Sequence, residues 1–441
     1  MKRRHFVGAM AAAASAAKAA PKLAVEGGPP VRSTPLYSDH WGPMNYDQKE
    51  MEQVAEVARS GNSFRWYGRP GKPAPDKTAK FEEEFARRMG SRYALAVSSG
   101  TAALQTAMAA FGVGPGDEVI LPAWTWHSDC TAVIMAGALP VFAEIDESFN
   151  IDPGDIEHRI TPQTKLIVAV HLQGVPADLD PILASGRKHG IPVLEDAAQS
   201  VGGSYRGKPL GSLGQMGIFS HQVNKTISSG EGGSVITNDP QLFERAVRFH
   251  DVGGIRSPET DKLGGQLQFD RFAGVNFRMT EWCGGVMLVQ VRKLEGILTR
   301  ARSVTARIRA GIEDLPGIRF RHEPDASGIT GDSVYLDCGS NARRERFMAA
   351  MRAEGVPARP PAGSVILPVQ PYIEKKLTAH PNWPTWTIGR GRTANYGAHT
   401  CPRTIDIHGR FAGVSVDPGF TGQDVADVIA AIRKVWPAVH S

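Results

Sequence analysis

Residues 193–239 read VLEDAAQSVGGSYRGKPLGSLGQMGIFSHQVNKTISSGEGGSVITND, and the fold follows from the pattern in this stretch. Short apolar runs in 191–199, 216–221 and 232–239 have the length and composition of buried strands. The linking segment SHQVNKTISSGEGG is too polar for a core strand and too rich in Gly and Ser for a helix. It carries one lysine, Lys225, which is either a solvated loop residue or an amine that the loop holds in place.

The same pattern extends upstream of this stretch. Further strands are predicted at 93–100, 117–123, 139–146 and 165–174, and helices at 47–60, 80–90, 101–112, 125–136 and 178–189. Short apolar runs that alternate with helices are typical of a mostly parallel sheet with helices on both faces, so the sequence predicts an α/β fold with seven strands. Ligands of such sheets bind beyond the carboxyl ends of the strands.

The chain of 441 residues is long enough for two domains. The predicted divisions are a leader at 1–19, an irregular N-terminal arm and helix at 20–80, a large domain at 81–300 and a smaller C-terminal α/β domain at 301–441. Thr280 is the predicted N-cap of a long helix, and residues 424–436 form an amphipathic last helix. The stretch 378–400 lacks a clear period and is interpreted as a long loop.

The N-terminus, MKRRHFVGAMAAAASAAKAAP, has the layout of a signal peptide. Arg3 and Arg4 precede a weakly apolar, Ala-rich run, and Ala17-Lys18-Ala19 fits a small-residue cleavage site. The paired arginines favour export to the periplasm by the twin-arginine route. The alternative is an Ala-rich leader on a cytoplasmic protein.

The leader accounts for most of the net charge. Residues 1–19 contain four basic residues and no acidic one, so removing them takes the formal charge from +5 to +1. A near-neutral protein gives no indication of nucleic-acid binding, and no apolar run approaches the ~20 residues of a membrane span. The cysteines are Cys130, Cys283, Cys338 and Cys401. They form no CxxC motif and no cluster at metal-ligand spacing, which indicates no metal site and favours free thiols, with a disulfide between distant cysteines as the alternative.

Two predicted strand ends carry groups that could bind a ligand. Gly100 and Thr101 lie where a strand passes into a helix, and the N–H groups of a helix start bind phosphate. The alternative is that Gly100 makes the turn and Thr101 caps the helix. Trp124 and Trp126 follow the strand at 117–123, where an indole could stack on a planar ring or simply fill the core.

Acidic residues end the strand in 191–199. Alternation places Glu195 and Asp196 on opposite faces, and a buried carboxylate needs a cationic partner or several N–H donors. Asp196 either caps the next turn or pairs with a protonated ring nitrogen. A strand-end Asp, then Ser220 and Lys225, together match pyridoxal 5'-phosphate (PLP), whose ring nitrogen, phosphate and aldehyde need such partners.

In order and spacing, several stretches resemble the DegT/DnrJ/StrS family of PLP-dependent sugar aminotransferases. They include FEEEFARRMGSRYALAVSSGTAALQTA, GVGPGDEVILPAWTW, VLEDAAQSVGGSYRGKPLGSLGQMGIFS, KTISSGEGGSVITND and GVNFRMTEWCGGVMLVQVRKLEGI. The resemblance is strong over residues 22–320 and looser beyond them. It implies a fold-type-I PLP-dependent transferase, a homodimer with shared active sites, and a role in polysaccharide or aminosugar biosynthesis.

The resemblance also implies a role for each matching residue. Lys225 would form the Schiff base with PLP, Asp196 would pair with the pyridine nitrogen, and Gln199 would lie near the phenolic oxygen. Trp126 would stack on the ring, and Asn276 would reach the cofactor of the neighbouring subunit. The residues implied to hold the phosphate are Gly100, Thr101 and Ser220.

The implied reaction moves an amino group from Glu or Gln to a keto-sugar, nucleotide-linked or free, or to a keto-cyclitol. Lys225, once displaced from the cofactor, would move a proton between the donor Cα and the cofactor. Two alternatives stay open. One is a PLP-dependent sugar dehydratase, a branch of the family in which His replaces the lysine, and the other is a non-catalytic regulator that binds PLP or a sugar.

Some positions depart from the family pattern. His221, Gln222 and Asn224 precede the lysine where an aromatic residue and a proline are common. His127 and Asp129 stand where small polar residues are usual. These positions are interpreted as the ones nearest the substrate.

Overall fold

The computed structural model describes residues 22–36 and 45–440, so the predicted leader at 1–19 lies outside the described residues. The α-helices in the described ranges are α1 (Gln48–Ser60), α2 (Lys77–Arg88), α3 (Gly100–Phe111), α4 (His127–Met135), α5 (Pro153–Arg159), α6 (Leu179–His189), α7 (Pro240–His250), α8 (Ser257–Lys262), α9 (Glu281–Ala310), α10 (Asn341–Ala353), α11 (Pro371–Glu374), α12 (Pro384–Thr387), α13 (Pro402–Arg410) and α14 (Gly422–His440). The large sheet consists of β1 (Tyr93–Val97), β2 (Glu118–Pro122), β3 (Leu139–Ala143), β4 (Thr164–Val170), β5 (Val193–Asp196), β6 (Met216–Ser220) and β7 (Gly233–Thr237). A smaller antiparallel pair consists of β8 (Ser333–Asp337) and β9 (Phe411–Ser415).

The strands of the large sheet run in the spatial order β1-β7-β6-β5-β4-β2-β3. Within it β7 is antiparallel to its neighbours β1 and β6, and the other neighbouring strands are parallel. The predicted mostly parallel sheet of seven strands is confirmed. Because β1, β5 and β6 point the same way, their carboxyl ends meet at one edge of the sheet, where β7 also begins.

Helices cover both faces of the large sheet. One face packs against α2, α6 and the first half of α9, and the other packs against α3, α4 and α7. Consecutive residues of one strand enter different cores. Leu95 of β1 packs on the side of α3, α4 and α7, whereas Ala96 packs on the side of α2, α6 and α9. A strand buried on both faces needs apolar residues at nearly every position, which is why the runs were visible in the sequence.

The 30-residue helix α9 connects the sheet to the C-terminal part of the molecule. The Thr280 side chain caps it by accepting the N–H of Cys283 at 3.4 Å, as predicted. Leu294 lies in the core under the sheet, whereas Ile308 lies in the core shared by α10, α14 and the β8–β9 pair. At about 1.5 Å per residue the helix is long enough to enter both cores.

The segment 378–400, predicted as a loop, contains α12 and a 3-10 turn at Gly389–Arg392. It packs over the edge of the large sheet. Trp383 Nε1 donates to a backbone carbonyl of α4 at 2.6 Å, and Arg390 donates to the carboxylate of Glu118 at 2.8 Å. These partners are distant in sequence, so no local period marks the segment.

Residues 22–36 form an irregular arm with one 3-10 turn. The N–H groups of Ala24 and Val31 donate to the buried carboxylate of Glu354 at 2.8 and 3.1 Å, which attaches the arm to the C-terminal part. The four cysteines all fall in the described ranges and are free, as predicted. None of the described helices is long and apolar enough to cross a membrane.

Candidate active site

The start of α3 forms a cradle at the carboxyl edge of the sheet. The Ser99 side chain caps the helix by accepting the N–H of Ala102 at 3.0 Å, so the N–H groups of Gly100 and Thr101 precede the first capped one. Gly100 lies against Ser220, since a Cβ at Gly100 would stand 2.7 Å from the Ser220 Cβ. The three predicted phosphate residues therefore lie together, at a helix start that favours an anion.

The segment 221–232 forms the loop that carries Lys225, and backbone hydrogen bonds order it. His221 N–H donates to the Gly232 carbonyl at 2.8 Å, and Val223 N–H donates to the Gly230 carbonyl at 3.0 Å. These bonds extend the pairing of β6 with β7 into the loop. Gly230 has φ +84°, a left-handed conformation that favours glycine at this turn. The loop is therefore ordered, and its backbone hydrogen bonds fix the position of Lys225.

Lys225 interacts electrostatically with the carboxyl groups of Asp196, Asp129 and Asp332. Burial lowers the pKa of the Lys225 amine, and the three carboxyl groups oppose this shift. An amine must be neutral to attack a carbonyl carbon, so a lowered pKa favours nucleophilic chemistry. Of these three carboxyl groups, only that of Asp196 has a role implied by the family resemblance.

Asp196 ends β5 and is only 4% exposed. Its Oδ1 accepts the N–H of Ala198 at 2.8 Å, and its carboxyl group contacts that of Asp129. Burial raises the pKa of Asp196, and the hydrogen bond from Asp129 lowers it. A buried carboxyl group beside a lysine amine is the arrangement expected around a protonated ring nitrogen.

Glu195, on the opposite face of β5, has a structural role. Its carboxylate accepts the N–H groups of Gly211, Leu213 and Gly214 at 2.8, 2.7 and 2.6 Å, and it lies 3.0 Å from His171 Nε2. The predicted need for several N–H donors is met here. Adjacent acidic residues thus serve the fold on one face and the site on the other.

Trp126 immediately precedes α4, and 49% of its surface is exposed, so its ring is open to a ligand. The Thr101 hydroxyl lies 2.7 Å from that of Ser128, which brings the starts of α3 and α4 together. Trp124, by contrast, is fully buried and belongs to the core.

Gln199 connects the site to a distant segment. Its Nε2 donates to the Gly363 carbonyl and the Ser364 hydroxyl, both at 3.2 Å. Just beyond them, Val365 and Ile366 pair with the residues that precede Trp126. Residues 362–366 therefore form a covering segment over the part of the site that contains Gln199. No motif in their own sequence indicates this position.

Asn276 belongs to a segment that runs beside the end of β1. Its neighbour Arg278 forms a bridge with Val97, and Asn276 itself forms one with Asp251. Asn276 is exposed, and its Oδ1 accepts the N–H of Arg278 at 3.4 Å. An exposed position at the rim is compatible with a role toward another subunit.

The interpretation of His221 as a substrate-facing residue is wrong. Its ring is fully buried against Phe81 and Phe85, and its Nε2 lies 2.8 Å from the Ser234 hydroxyl. Burial lowers the pKa of His221 to about 3, so the ring is neutral. As the first residue after β6, His221 follows the strand's alternation and points to the face opposite Ser220.

Two further groups lie near the site, and no sequence motif assigns a role to either. Asp332 precedes β8, and its Oδ1 accepts the Thr330 hydroxyl at 2.6 Å. Its segment has no motif of its own, so only the fold brings it to Lys225. His127 was noted as unusual, and its Nδ1 lies 3.2 Å from the hydroxyl of Tyr372, a residue of α11.

The residues present fit PLP. The uncapped N–H groups of Gly100 and Thr101 suit its phosphate, and buried Asp196 suits its ring nitrogen. Lys225 supplies an amine of lowered pKa for its aldehyde. The exposed indole of Trp126 supplies a stacking surface.

Comparisons with known proteins identify the family. A model of the DegT/DnrJ/EryC1/StrS aminotransferase family matches residues 45–433. The structure of 3-amino-5-hydroxybenzoic acid (AHBA) synthase is 25% identical, covers 92% of this chain and 100% of its own, and has a TM-score of 0.74.

Two further solved structures are similar over most of their length. DesI, solved in the presence of its TDP-sugar product, is 26% identical and covers 95% of this chain and 98% of its own, with a TM-score of 0.72. DesV from S. venezuelae, solved in complex with a ketimine intermediate, is 27% identical and covers 88% of this chain and 94% of its own, with a TM-score of 0.71.

Proposed function

This chain belongs to the DegT/DnrJ/EryC1/StrS aminotransferase family, and we propose that it moves an amino group from Glu or Gln to a keto-sugar or keto-cyclitol. It is a PLP-dependent aminotransferase, as its family is. The observation that carries the proposed chemistry is the juxtaposition of Lys225 with Asp196 at the carboxyl edge of the sheet. Relatives solved with a TDP-sugar product, or named for synthesis of AHBA, support the class of acceptor.

Each proposed role follows from position. When bound, PLP supplies a ring that accepts the electrons left as the Cα–H bond of an amino acid breaks. Asp196 would accept a hydrogen bond from the protonated ring nitrogen and so keep the ring cationic, because its buried carboxylate is a strong partner for a cation. The N–H groups of Gly100 and Thr101, with the Ser220 hydroxyl, orient the phosphate.

Lys225 has two tasks in this proposal. Its Nζ would hold the cofactor through the aldehyde group, and once free the neutral amine would take up the Cα proton of the amino donor and give it back. A lowered pKa suits both tasks, because each begins with an uncharged amine. The polar groups of Asp332, His127 and Tyr372 around the site suit an acceptor rich in hydroxyl groups.

A screen of amino donors and keto-acceptors tests the function. Native protein loaded with PLP should show the visible band of lysine-bound cofactor, and Glu or Gln should abolish it until a keto-sugar or keto-cyclitol restores it. Lys225→Ala should lack the band and lose at least about a thousandfold in kcat. Lys208→Ala, an exposed lysine on the same domain, is the matched control. A native band that no amino donor changes would refute the proposal.

We also propose that the enzyme is a homodimer in which Asn276 acts on the partner's cofactor. Mixing inactive Lys225→Ala with weakened Asn276→Ala, followed by subunit exchange, should restore roughly a quarter of native activity, since half of the dimers then hold one complete site. Activity that never exceeds the sum of the separate variants would mean that each site is built from one chain.

For localisation we propose export by the leader at 1–19. The paired Arg3 and Arg4 support this, as that route accepts folded proteins with cofactor bound. Fractionation with N-terminal sequencing should find protein cleaved after residue 19 in the periplasm, and replacing both arginines by lysine should retain it in the cytoplasm. Uncleaved native protein confined to the cytoplasm would contradict export.

A further inference from the structure

Asp129 is an acidic residue that has no part in the reaction proposed above, and the sequence pattern predicts only that it lies near the substrate. It lies in the first turn of α4, and it is 1% exposed. Its Oδ2 accepts the Thr125 hydroxyl at 2.6 Å. Its Oδ1 is buried and receives no N–H or O–H donor from the described part of the chain.

The neighbour of Asp129 is another carboxyl group, that of Asp196, and the two are in hydrogen-bonding contact. Two ionised carboxylates in contact and away from water repel each other strongly, so such a pair holds one proton between its members. An oxygen that lacks a donor is also satisfied if it carries that proton and donates it. Both observations point to a protonated carboxyl group at this place.

The surroundings decide which member keeps the proton. Asp196 accepts the N–H of Ala198 at 2.8 Å, which favours its ionised form, and the charges of Lys225 and, from the other side of β5, His171 act in the same direction. Asp129 faces Asp196, Lys225 and the thiol of Cys130, whose pKa burial raises. Burial, followed by the charge of Asp196, raises the pKa of Asp129 well above its usual range.

We propose that Asp129 is a positioning residue that keeps its proton at neutral pH and donates it in a hydrogen bond to Asp196, so that Asp196 alone carries negative charge. The donated bond fixes the orientation of the Asp196 carboxylate. It also leaves one negative charge, rather than two, opposite the ring nitrogen and Lys225. This inference rests on the proposed role of Asp196, and the experiments below separate the two.

Asp129→Asn and Asp129→Leu form a matched pair of variants. The Asn amide can still donate to Asp196 and its carbonyl can still accept from Thr125, whereas Leu has similar bulk and can do neither. In native protein loaded with PLP, the visible band of cofactor bonded to Lys225 titrates with a pH midpoint that senses nearby charge. Since the proposal makes Asp129 neutral, Asn should move that midpoint by less than about 0.3 pH unit.

Asp129→Leu should weaken PLP binding about tenfold or more, because Asp196 loses a hydrogen bond to a charged group. Asp129→Asn should restore the affinity to within about threefold of native. A midpoint that falls by about one pH unit or more in Asp129→Asn would overturn the proposal, since it would mean that an ionised carboxylate had been removed. Equal PLP affinities of the Leu variant and the native protein would overturn it as well.

A measurement on the protein without cofactor distinguishes this inference from the proposed function. The infrared difference spectrum, native minus Asp129→Asn at neutral pH, should contain the carbonyl stretch of a protonated carboxyl group. If that band is present and native protein fails to bind PLP, the proposed function is wrong while the inference holds. If the band is missing, Asp129 is ionised and the inference is wrong.

Discussion

Glu195 and Asp196 are consecutive carboxyl groups with different uses. The first is surrounded by N–H donors and stabilises the loop between β5 and β6, whereas the second faces Lys225. Their difference follows from the alternation of a strand, since one residue of displacement exchanges the two faces of the sheet. The chemistry of an acidic residue here depends on its face.

Glu195→Gln is expected to destabilise the fold. The amide can accept from some of the three N–H donors, but its NH₂ group opposes the others, and the loss of charge-assisted bonds should cost about 2–3 kcal/mol. Urea denaturation measures this. Asp196→Asn, the contrasting variant, should change stability less while lowering kcat at least about a hundredfold. Equal stability losses in the two variants would contradict the assignment.

His221→Gln is expected to make the protein less sensitive to acid. The pKa of His221 lies near 3 in the fold against 6.5 in the unfolded chain. As the pH falls below 6.5 the unfolded chain therefore binds a proton that the folded chain does not, and stability is lost. The stability that His221 supplies is fully present above about pH 6.5 and disappears toward pH 3.

Gln keeps a partner for Ser234 and does not titrate, so between about pH 7 and pH 5 the variant should lose about 2 kcal/mol less than the native protein. Denaturant titrations at several pH values measure the difference. His250, whose pKa burial also lowers to about 3, remains in the variant, so some acid sensitivity should persist. If the free energy of unfolding fell equally with pH in the two proteins, His221 would have no part in the acid sensitivity.

At the residue scale the sequence was informative where a residue follows a strand. Asp196, Ser220 and Lys225 were found because the ends of apolar runs are visible and strand ends of such sheets meet at one edge. The direction of His221 was misjudged, because the alternation continues for one residue past the end of β6. Asp332 could not be predicted as a site residue, because it lies 107 residues downstream of Lys225 and only the fold brings the two side chains near each other.

The elements that hold the site depend on a close approach between β7 and the start of α3. Gly233, the first residue of β7, lies so near that a Cβ there would stand 2.3 Å from the Ser99 carbonyl oxygen and 2.9 Å from the Gly100 nitrogen. Backbone atoms cannot yield as a flexible side chain would. The start of α3 can therefore approach β7 this closely only because Gly233 has no side chain.

Gly233→Ala should displace the start of α3, weaken PLP binding about tenfold or more and cost about 1–3 kcal/mol. Gly230→Ala is the control: it has open space around its Cβ and only its positive φ to oppose the change, so about 1 kcal/mol is expected without loss of PLP affinity. Cofactor titration and thermal melts distinguish the two. An unchanged PLP affinity in Gly233→Ala would mean that the cradle tolerates movement.

At the element scale the strands of the sheet were predictable because each is buried on both faces and is therefore continuously apolar. The helix ends at Gly112 and Thr280 were predictable from their cap residues. The segment 378–400 was not, because α12 has only four residues and its position is fixed by bonds to distant backbone and to Glu118. Short elements carry too little period to be recognised.

For the whole molecule, α9 joins two cores that would otherwise be separate. Its first half contributes Met287 and Leu294 to the core under the sheet, and its second half contributes Val304 and Ile308 to the C-terminal core. A continuous helix cannot unfold in one core without losing turns in the other. The two cores should therefore unfold together.

Calorimetry should accordingly show one thermal transition for the sheet and the C-terminal part, with equal calorimetric and van't Hoff enthalpies per cooperative unit. Gly296→Pro, placed between the two halves of α9, should split or broaden it, because proline breaks a helix at its middle. Gly296→Ala, at the same position and with space for the methyl group, should leave one transition. Two well-separated transitions in the native protein would contradict the coupling.

The covering segment at residues 362–366 has a consequence for the order of events during synthesis. The ribosome makes Lys225, Asp196 and the start of α3 long before it reaches Val365, whose pairing with Thr125 covers the site. A nascent chain that stops before this point has the groups that bind PLP but no cover over Gln199. We therefore expect stable capture of the cofactor to be a late step, which follows release of the last quarter of the chain.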